Sequence, residues 1–442
     1  MPHLFLVISL LLVFALRKSF SRFYLSPTGI LSLTWCIFIG LMFFFANDFY
    51  LSISAAIIFL LFILAFFLGE LTCFIYSDGE KKGNSFRKKQ EMLFEFESQI
   101  FSNLLIKKIF RKFLLFIGIL SFLGSILYLQ VFASYFGSII NVLTAGWAVR
   151  GALEEIQVPL FTRAILMIGY SSIILTLVYR IVYKEFKWYF FFPYLSILLM
   201  GITQAGRAGF MMVLFQVFIS HYWSIIYSQI KSRDNYISFS KKPEVQLVAS
   251  ALKLIIVIII VFVLGDMLRS QSFSMAGETL SQGILSFQSY LFGGIAGFTT
   301  YYDSEYLRIV SLGFGRFSFS SLFELLGIYD SVGGIYDNYL RISSKDYTLD
   351  VNIFTAFRQL IDDFGIIGGG LFMYISGFFS YKFFRKAING DLGSIAMMIV
   401  IYTILFHSPL LLITVHNAVL VSLFFPFFVI SAFRFLFKNI IK

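Results

Sequence analysis

Apolar runs close to the length of a bilayer crossing recur along the whole chain. They lie at roughly 3–16, 28–46, 49–69, 113–136, 161–183, 188–204, 208–228, 249–265, 365–383, 393–413 and 417–437. A helix needs about 20 apolar residues to cross a membrane, and 59% of the 442 residues are apolar while only 13% are charged. The sequence therefore predicts an all-α, polytopic integral membrane protein with about 11 transmembrane helices, forming a single membrane domain over residues 1–442.

The distribution of basic residues predicts how these helices are oriented. Segments 17–27, 70–112, 180–187, 229–248, 382–391 and 434–442 hold most of the 35 Lys and Arg residues. Because cytoplasmic loops are enriched in basic residues, we expect these segments and the C-terminus in the cytoplasm, with loop 77–112 on the anionic inner leaflet. Topology thus accounts for the net charge of +11, and no nucleic-acid partner is expected.

Apart from Lys253, which lies just inside the eighth apolar run and is counted with the cytoplasmic residues, the basic residues outside those segments are almost all arginine. They are Arg150, Arg163, Arg207, Arg269, Arg308, Arg316, Arg341, Lys345 and Arg358. Arginine carries a planar fork of donors that grips phosphate or carboxylate with two hydrogen bonds, which lysine cannot do. The set favours an anionic ligand at the outer face. The alternative for any single arginine is an ordinary ion pair with an acid of the outer loop.

Arg207 stands in the short turn "TQAGRAGF", residues 203–210, between two apolar runs. Gly206 supplies the tight turn, and Arg207 is expected at the N-terminus of the next helix, where backbone N–H groups and the helix dipole favour an anion. Gly209 lets a ligand approach the backbone. The sequence predicts a phosphate site here, and the alternative is an arginine that fixes the depth of the hairpin in the membrane.

Residues 266–364 form one large loop, which we expect outside the cytoplasm. The loop is dense in Tyr, Phe, Gly and Ser with interspersed acids, and aromatic faces beside hydroxyl and carboxylate groups suit sugar rings. The alternative is a belt of aromatic residues at the membrane interface. Apolar periodicity around 317–328 and 353–364 predicts short amphipathic helices lying along the membrane.

No metal or cofactor is expected. Cys36 and Cys73 fall in or beside apolar runs, and His407 and His416 lack the acid and spacing of a metal-binding motif. The letters "DFG", which are Asp363, Phe364 and Gly365, are not accompanied by the other motifs of a protein kinase. Polar packing between helices is the expected role of both histidines.

Three features together resemble the bacterial oligosaccharide repeat-unit polymerases of the Wzy type, the O-antigen polymerases. They are "TQAGRAGF" between central spans, the large outer loop after it, and "NIFTAFRQLIDDFGIIGGGLFMYISGFF" closing that loop into the next span. The similarity of layout covers nearly the whole chain. It implies a GT-C-like membrane glycosyltransferase in the bacterial inner membrane. The active site would face the periplasm and act without a metal on undecaprenyl-pyrophosphate-linked sugars, with membrane lipid and a chain-length regulator as partners.

The chemistry implied by this resemblance assigns roles to particular residues. Cations are needed to stabilise the pyrophosphate leaving group, and the candidates are Arg207, Arg316 and Arg358, followed by Arg150, Arg308 and Arg341. A carboxylate must take the proton of the acceptor hydroxyl. Among Asp303, Glu305, Asp337 and Asp363 we select Glu305 and Asp363. The alternative role of all four acids is to cap helices or pair with arginines.

Two other functions use a similar architecture. O-antigen ligases carry a His-Asn pair before the final outer helix, and here Asn352 follows Val351, so the ligase histidine is missing. A flippase or other transporter of lipid-linked oligosaccharide usually carries ionisable residues within its spans or shows repeated halves. Here the acids crowd into one outer loop. The polymerase is therefore the preferred prediction, and a non-catalytic scaffold is the third alternative.

Overall fold

A computed structural model provides the fold of the chain. It describes residues 2–18, 25–46, 49–79, 99–144, 148–149, 152, 155–204, 208–231, 250, 253, 256–257, 260, 276–304, 312–328, 340–343, 348–351 and 354–437. The helices are α1 Pro2–Lys18, α2 Pro27–Phe45, α3 Ile53–Gly79, α4 Leu104–Phe136, α5 Ile139–Thr144, α6 Leu160–Tyr183, α7 Phe192–Thr203, α8 Ala208–Lys231, α9 Ala276–Ser304, α10 Ser320–Leu325, α11 Ala356–Ala387, α12 Leu392–His407 and α13 Asn417–Phe437. Strands β1 Leu340–Ser343 and β2 Thr348–Val351 form an antiparallel hairpin.

The structure confirms an all-α, polytopic membrane architecture. Within the described residues, seven helices are long and apolar enough to cross a membrane: α2, α3, α4, α6, α8, α11 and α13. Shorter apolar helices at Pro2–Arg17, Trp188–Thr203 and Leu392–His407 coincide with three further predicted spans. The predicted span at 249–265 lies mostly outside the described residues.

The loop predicted at 266–364 contains a helix of 29 residues, α9. Its second half is buried from Leu291 to Thr299. Gly294 is packed so closely that a Cβ there would lie 3.1 Å from the carbonyl oxygen of Pro409. This part of the chain is therefore protein core, although its polar residues lower its hydropathy below that of a span.

The chain divides into two compact units that interleave along the sequence. The first unit comprises Met1–Lys82, Ile284–Phe384 and Ile404–Asn417, and the second comprises Gly83–Gly283, Arg385–Thr403 and Ala418–Lys442. Each unit is built from three segments that alternate along the chain with those of the other unit. The predicted single membrane domain over residues 1–442 stays a prediction.

In the first unit, α1 packs against α2 and α3, and Glu70 of α3 joins all three helices. Its carboxylate accepts hydrogen bonds from Ser26 Oγ at 2.6 Å and from the backbone N–H of Thr28 at 2.7 Å, at the N-terminus of α2. Arg17 Nε, near the end of α1, lies 3.6 Å from the same carboxylate. A carboxylate at a helix N-terminus satisfies amides that have no acceptor within the helix.

Glycines bring α3 and α11 into backbone contact in the same unit. A Cβ built on Gly69 would lie 1.9 Å from the carbonyl oxygen of Tyr374, and one on Gly377 would lie 2.0 Å from that of Phe66. Phe74 of α3 packs against Tyr381 of α11 further along both helices. The two helices therefore run parallel, and small residues permit their close approach as in other membrane bundles.

In the second unit, α4 packs against α6 and α7 through small residues. Ser121 Oγ donates to Ser196 Oγ at 2.9 Å, and a Cβ on Gly169 would lie 3.1 Å from Ser121 Oγ. A Cβ on Gly124 would lie 2.5 Å from Ile165. Helix α8 packs against both α6 and α7, so α6 becomes the most buried of the seven long apolar helices.

Candidate functional site

The candidate site lies at the first turns of α11, in the first unit. Every residue from Phe354 to Asp363 is buried, although four of them have charged or amide side chains: Arg358, Gln359, Asp362 and Asp363. Helical geometry breaks at Gly365, whose φ of 69° and ψ of 177° are open only to glycine. A short buried half-helix therefore precedes the long apolar part of α11, which fits the predicted boundary between 353–364 and 365–383. The sequence predicted an amphipathic helix along the membrane surface around 353–364. In the structure this half-helix is instead buried on all sides within the protein.

The break at Gly365 allows residues 312–319, the arginine loop, to bind the end of the half-helix. Without a continuing helix, the carbonyl groups of its last turn need new donors. The N–H of Gly313 donates to the carbonyl of Asp362 at 2.9 Å, and the N–H of Phe314 donates to that of Asp363 at 3.0 Å. A side chain at position 313 would place Cβ only 2.5 Å from the Asp363 carboxylate, so glycine is required there.

Asp363 fixes the arginine loop with its side chain as well. Its Oδ1 accepts the N–H of Phe317 at 3.0 Å, and its Oδ2 accepts the N–H of Ser318 at 2.6 Å. The residue is fully buried. This geometry makes Asp363 the anchor of the loop, while its predicted role as a general base stays a prediction.

The loop that Asp363 holds exposes Arg316. Phe314 has φ 48° and Gly315 has φ 101°, so two consecutive residues in the left-handed region turn the chain sharply just before the arginine. Such a conformation is costly for an aromatic residue, and it persists where surrounding contacts determine it. Arg316 is exposed on this turn. Its Cζ lies 5.9 Å from the centre of the Phe317 ring.

Arg358 is the buried cation of the site. Its guanidinium carbon lies 3.8 Å from the centre of the Phe354 ring and 4.2 Å from that of the Tyr301 ring. Its Nε lies 3.4 Å from Oδ2 of Asp362, one helical turn away, and the Tyr301 hydroxyl donates to the other oxygen of that carboxylate. Aromatic faces and a paired carboxylate together offset the cost of burying the charge.

Gln359 ties the half-helix to the segment that follows α12. Its Nε2 donates to the carbonyl of Phe317 at 2.9 Å, and its Oε1 accepts the N–H of Leu412 at 2.8 Å. Thr414 Oγ1 donates to the carbonyl of Ser318 at 2.8 Å. Residues far apart in sequence therefore support the arginine loop from both sides, and the site is preorganised.

The structure brings some predicted site residues together and separates others from them. Arg316, Arg358 and Asp363 belong to one cluster. Arg341 is exposed on β1, where its Cα is paired with Asp350 of β2. The remaining predicted residues, Arg150, Arg207, Arg308 and Glu305, lie outside the described residues. The helix that follows Arg207 does begin at Ala208.

Sequence reasoning missed three members of the cluster. Asp362 lies four residues after Arg358 on a helix, a spacing that favours an ion pair and could have been noticed. Gln359 and Tyr301 give no such signal, because their partners are more than 40 residues away in the sequence. Among the described residues, no group of three or more His, Cys, Asp and Glu is arranged to hold a metal ion.

Comparison of the chain with protein-family models, with curated proteins and with solved structures finds no match in any of the three. The residues of the site therefore carry the functional conclusion. They provide one exposed cation on a fixed turn, Arg316, and one buried cation, Arg358, whose position is held by two rings and a carboxylate. Such an arrangement can bind an anion and hold its charge in place during a reaction.

Proposed function

We propose that this chain is a membrane glycosyltransferase that polymerises undecaprenyl-pyrophosphate-linked oligosaccharide repeat units into O-antigen or a related surface polysaccharide. The reaction would take place at the outer face of the bacterial inner membrane, with the C-terminus in the cytoplasm. The observation that carries the proposal is Arg316, an exposed cation on a turn that buried hydrogen bonds hold in place. The resemblance of the sequence to Wzy-type polymerases supports the same conclusion.

In the proposed reaction, some residues would contact the substrate and others would hold those residues in position. A sugar hydroxyl of the acceptor attacks the anomeric carbon of the donor glycan, and the bond from that carbon to the pyrophosphate oxygen breaks. The pyrophosphate leaves with the bonding electrons, and the hydroxyl proton passes to a carboxylate, for which Glu305 is our candidate. Arg316 would stabilise the charge that develops on the leaving group. Asp363, Arg358 and Asp362 would act as positioning residues beneath it.

The experiment is a turnover assay on the full chain in lipid nanodiscs, supplied with its undecaprenyl-pyrophosphate repeat unit. Arg316→Ala and Arg316→Lys are compared with Lys382→Ala, which removes an exposed positive charge from the far part of α11. A ladder of lengthened lipid-linked glycans is expected from the wild type and from Lys382→Ala. We expect Arg316→Ala to lose it and Arg316→Lys to restore it poorly, because lysine lacks the planar fork. An undiminished ladder from Arg316→Ala contradicts the proposed role.

One observation favours a second candidate, a transporter of the same lipid-linked oligosaccharide. Transporters often bind substrate at helices that are broken within the membrane protein and that carry buried charges. Helix α11 is broken at Gly365, with Arg358 and Asp362 buried just before the break. Movement of the repeat unit across proteoliposomes without any lengthening of the glycan would favour the transporter and reject the polymerase.

A further inference from the structure

A buried tyrosine hydroxyl faces the first turn of α8 in the second unit. Tyr170 of α6 is 3% exposed, and its Oη has no hydrogen-bond partner in the described part of the chain. A Cβ built on Gly209, the second residue of α8, would lie 3.0 Å from that oxygen. The hydroxyl is therefore directed at the N-terminal turn of a helix of 24 residues.

Such a hydroxyl calls for a physical explanation. Burying a hydroxyl without a hydrogen bond is costly, and phenylalanine has the same shape without that cost. The first backbone N–H groups of α8 likewise have no acceptor within their own helix, and they lie at the positive end of its dipole. The Tyr170 hydroxyl thus lies against a helix turn whose amides need an acceptor. The hydroxyl and the amides can each donate to an anionic acceptor.

The neighbouring groups suit an anion as well. Gln204, which directly follows α7, donates from Nε2 to the Tyr128 hydroxyl at 2.7 Å. Arg163 of α6 is exposed and lies within electrostatic range of that same hydroxyl. The C-terminal end of α7 therefore lies beside Tyr128 of α4. Helix α4 continues for eight more residues, to Phe136, which is about 12 Å. The first turn of α8 is therefore set back from the end of α4.

Apolar side chains pack beside the end of α7. Val142, Val149 and Ile156 pack against Tyr128 and its neighbours on α4, and Leu199 and Met200 of α7 pack against the same cluster. Apolar surroundings of this kind strengthen electrostatic attraction for an anion.

We propose that the first turn of α8 and the Tyr170 hydroxyl form a second anion site, which binds a phosphate or pyrophosphate group. It lies at the helix start where the sequence predicts a phosphate site, and it adds the Tyr170 hydroxyl, which the sequence did not indicate. Its residues belong to the second unit, whereas the cluster around Arg358 belongs to the first. If the ligand is a lipid-linked pyrophosphate, its identity rests on the proposed function, since a polymerase must hold two lipid-linked substrates. The anion site itself follows from the geometry of Tyr170 and Gly209.

The test measures binding of inorganic pyrophosphate, and separately of undecaprenyl phosphate incorporated in the nanodisc, to the full chain. Tyr170→Phe removes only the hydroxyl, and Gly209→Ala places a methyl group against it. Tyr183→Phe is the matched control, because Tyr183 lies at the other end of α6 and its hydroxyl also has no partner among the described residues. Hydrogen exchange of the amides at 208–212 reports where the ligand binds.

The affinities of the variants for the two probes test the second anion site. We expect Tyr170→Phe and Gly209→Ala to weaken binding at least about tenfold, the value of one hydrogen bond to a charged group. Tyr183→Phe should bind like the wild type, Tyr170→Phe should unfold at the same temperature or higher, and the ligand should slow exchange at 208–212. An effect with undecaprenyl phosphate alone identifies a lipid headgroup, whereas an effect with both probes shows that the phosphate group suffices.

Two results would overturn the second anion site. One is equal affinity of Tyr170→Phe and the wild type, and the other is no binding of either probe at millimolar concentration. The polymerase proposal is judged by a different readout, the glycan ladder. Lengthening of glycans without Tyr170-dependent binding rejects only the second site, and Tyr170-dependent binding without lengthening rejects only the polymerase.

Discussion

Gly365 offers the sharpest test of how the site is built, through the variant Gly365→Ala. Its φ of 69° and ψ of 177° cost a residue with a side chain about 1–3 kcal/mol. Steric crowding adds nothing, because the nearest atom to an added Cβ is Leu312 Cδ2 at 3.9 Å. Gly370, five residues later in the same helix, has nothing within 4 Å of an added Cβ, and alanine there should stabilise by about 0.5–1 kcal/mol.

The two alanine variants should therefore change stability in opposite directions and differ by about 1.5–4 kcal/mol in free energy of unfolding. Equilibrium unfolding in mixed micelles measures this difference. Gly365→Ala can relieve its strain only by continuing the helix, which would take the carbonyls of Asp362 and Asp363 away from the arginine loop. Hydrogen exchange at Gly313 and Phe314 should then speed up. Equal stability of both variants, with unchanged exchange, would refute this account of the break.

Three further substitutions separate the roles of the charged residues. Asp363→Asn should lower the free energy of unfolding by about 1–3 kcal/mol by weakening two buried hydrogen bonds, with faster exchange of the two loop amides. Arg358→Gln should cost about 3–5 kcal/mol because it removes the cation from a buried carboxylate, and adding Asp362→Asn should recover part of this loss in a double-mutant cycle. Arg316→Ala should change the free energy of unfolding by less than about 0.5 kcal/mol, and its rate of glycan lengthening should fall in the nanodisc assay.

Much of the membrane architecture could be predicted because it depends on local composition. Runs such as 28–46 and 417–437 are apolar throughout, and the structure has helices Pro27–Phe45 and Asn417–Phe437 there. Helix α9 was missed for the converse reason. Its residues from Leu291 to Thr299 are buried against protein, and a helix in such surroundings can carry Thr, Ser and Gly, which lower its mean hydropathy to that of a loop.

The composition of the site could be predicted only in part. An arginine-rich outer loop is visible in the sequence, and Arg316, Arg358 and Asp363 do belong to one cluster. The sequence does not distinguish the roles of Asp362 and Asp363. Adjacent helical residues point in directions about 100° apart, and only the packing of the folded chain decides which carboxylate faces the arginine and which faces the loop. Asp362 pairs with Arg358, while Asp363 binds the arginine loop.

The same packing explains why buried charge is compatible with so apolar a chain. Arg358 pairs with Asp362, which also accepts the Tyr301 hydroxyl. Asp363 and Gln359 bind the backbone of the arginine loop, and Gln359 also binds the backbone of Leu412. A buried network of this kind fixes one conformation, and its groups face one another more than they face a substrate. We therefore expect the substrate to contact Arg316, the exposed cation whose position the network fixes. Substitutions within the network should therefore lower stability and activity together. Among the residues of the described cluster, loss of activity at full stability is expected only at Arg316.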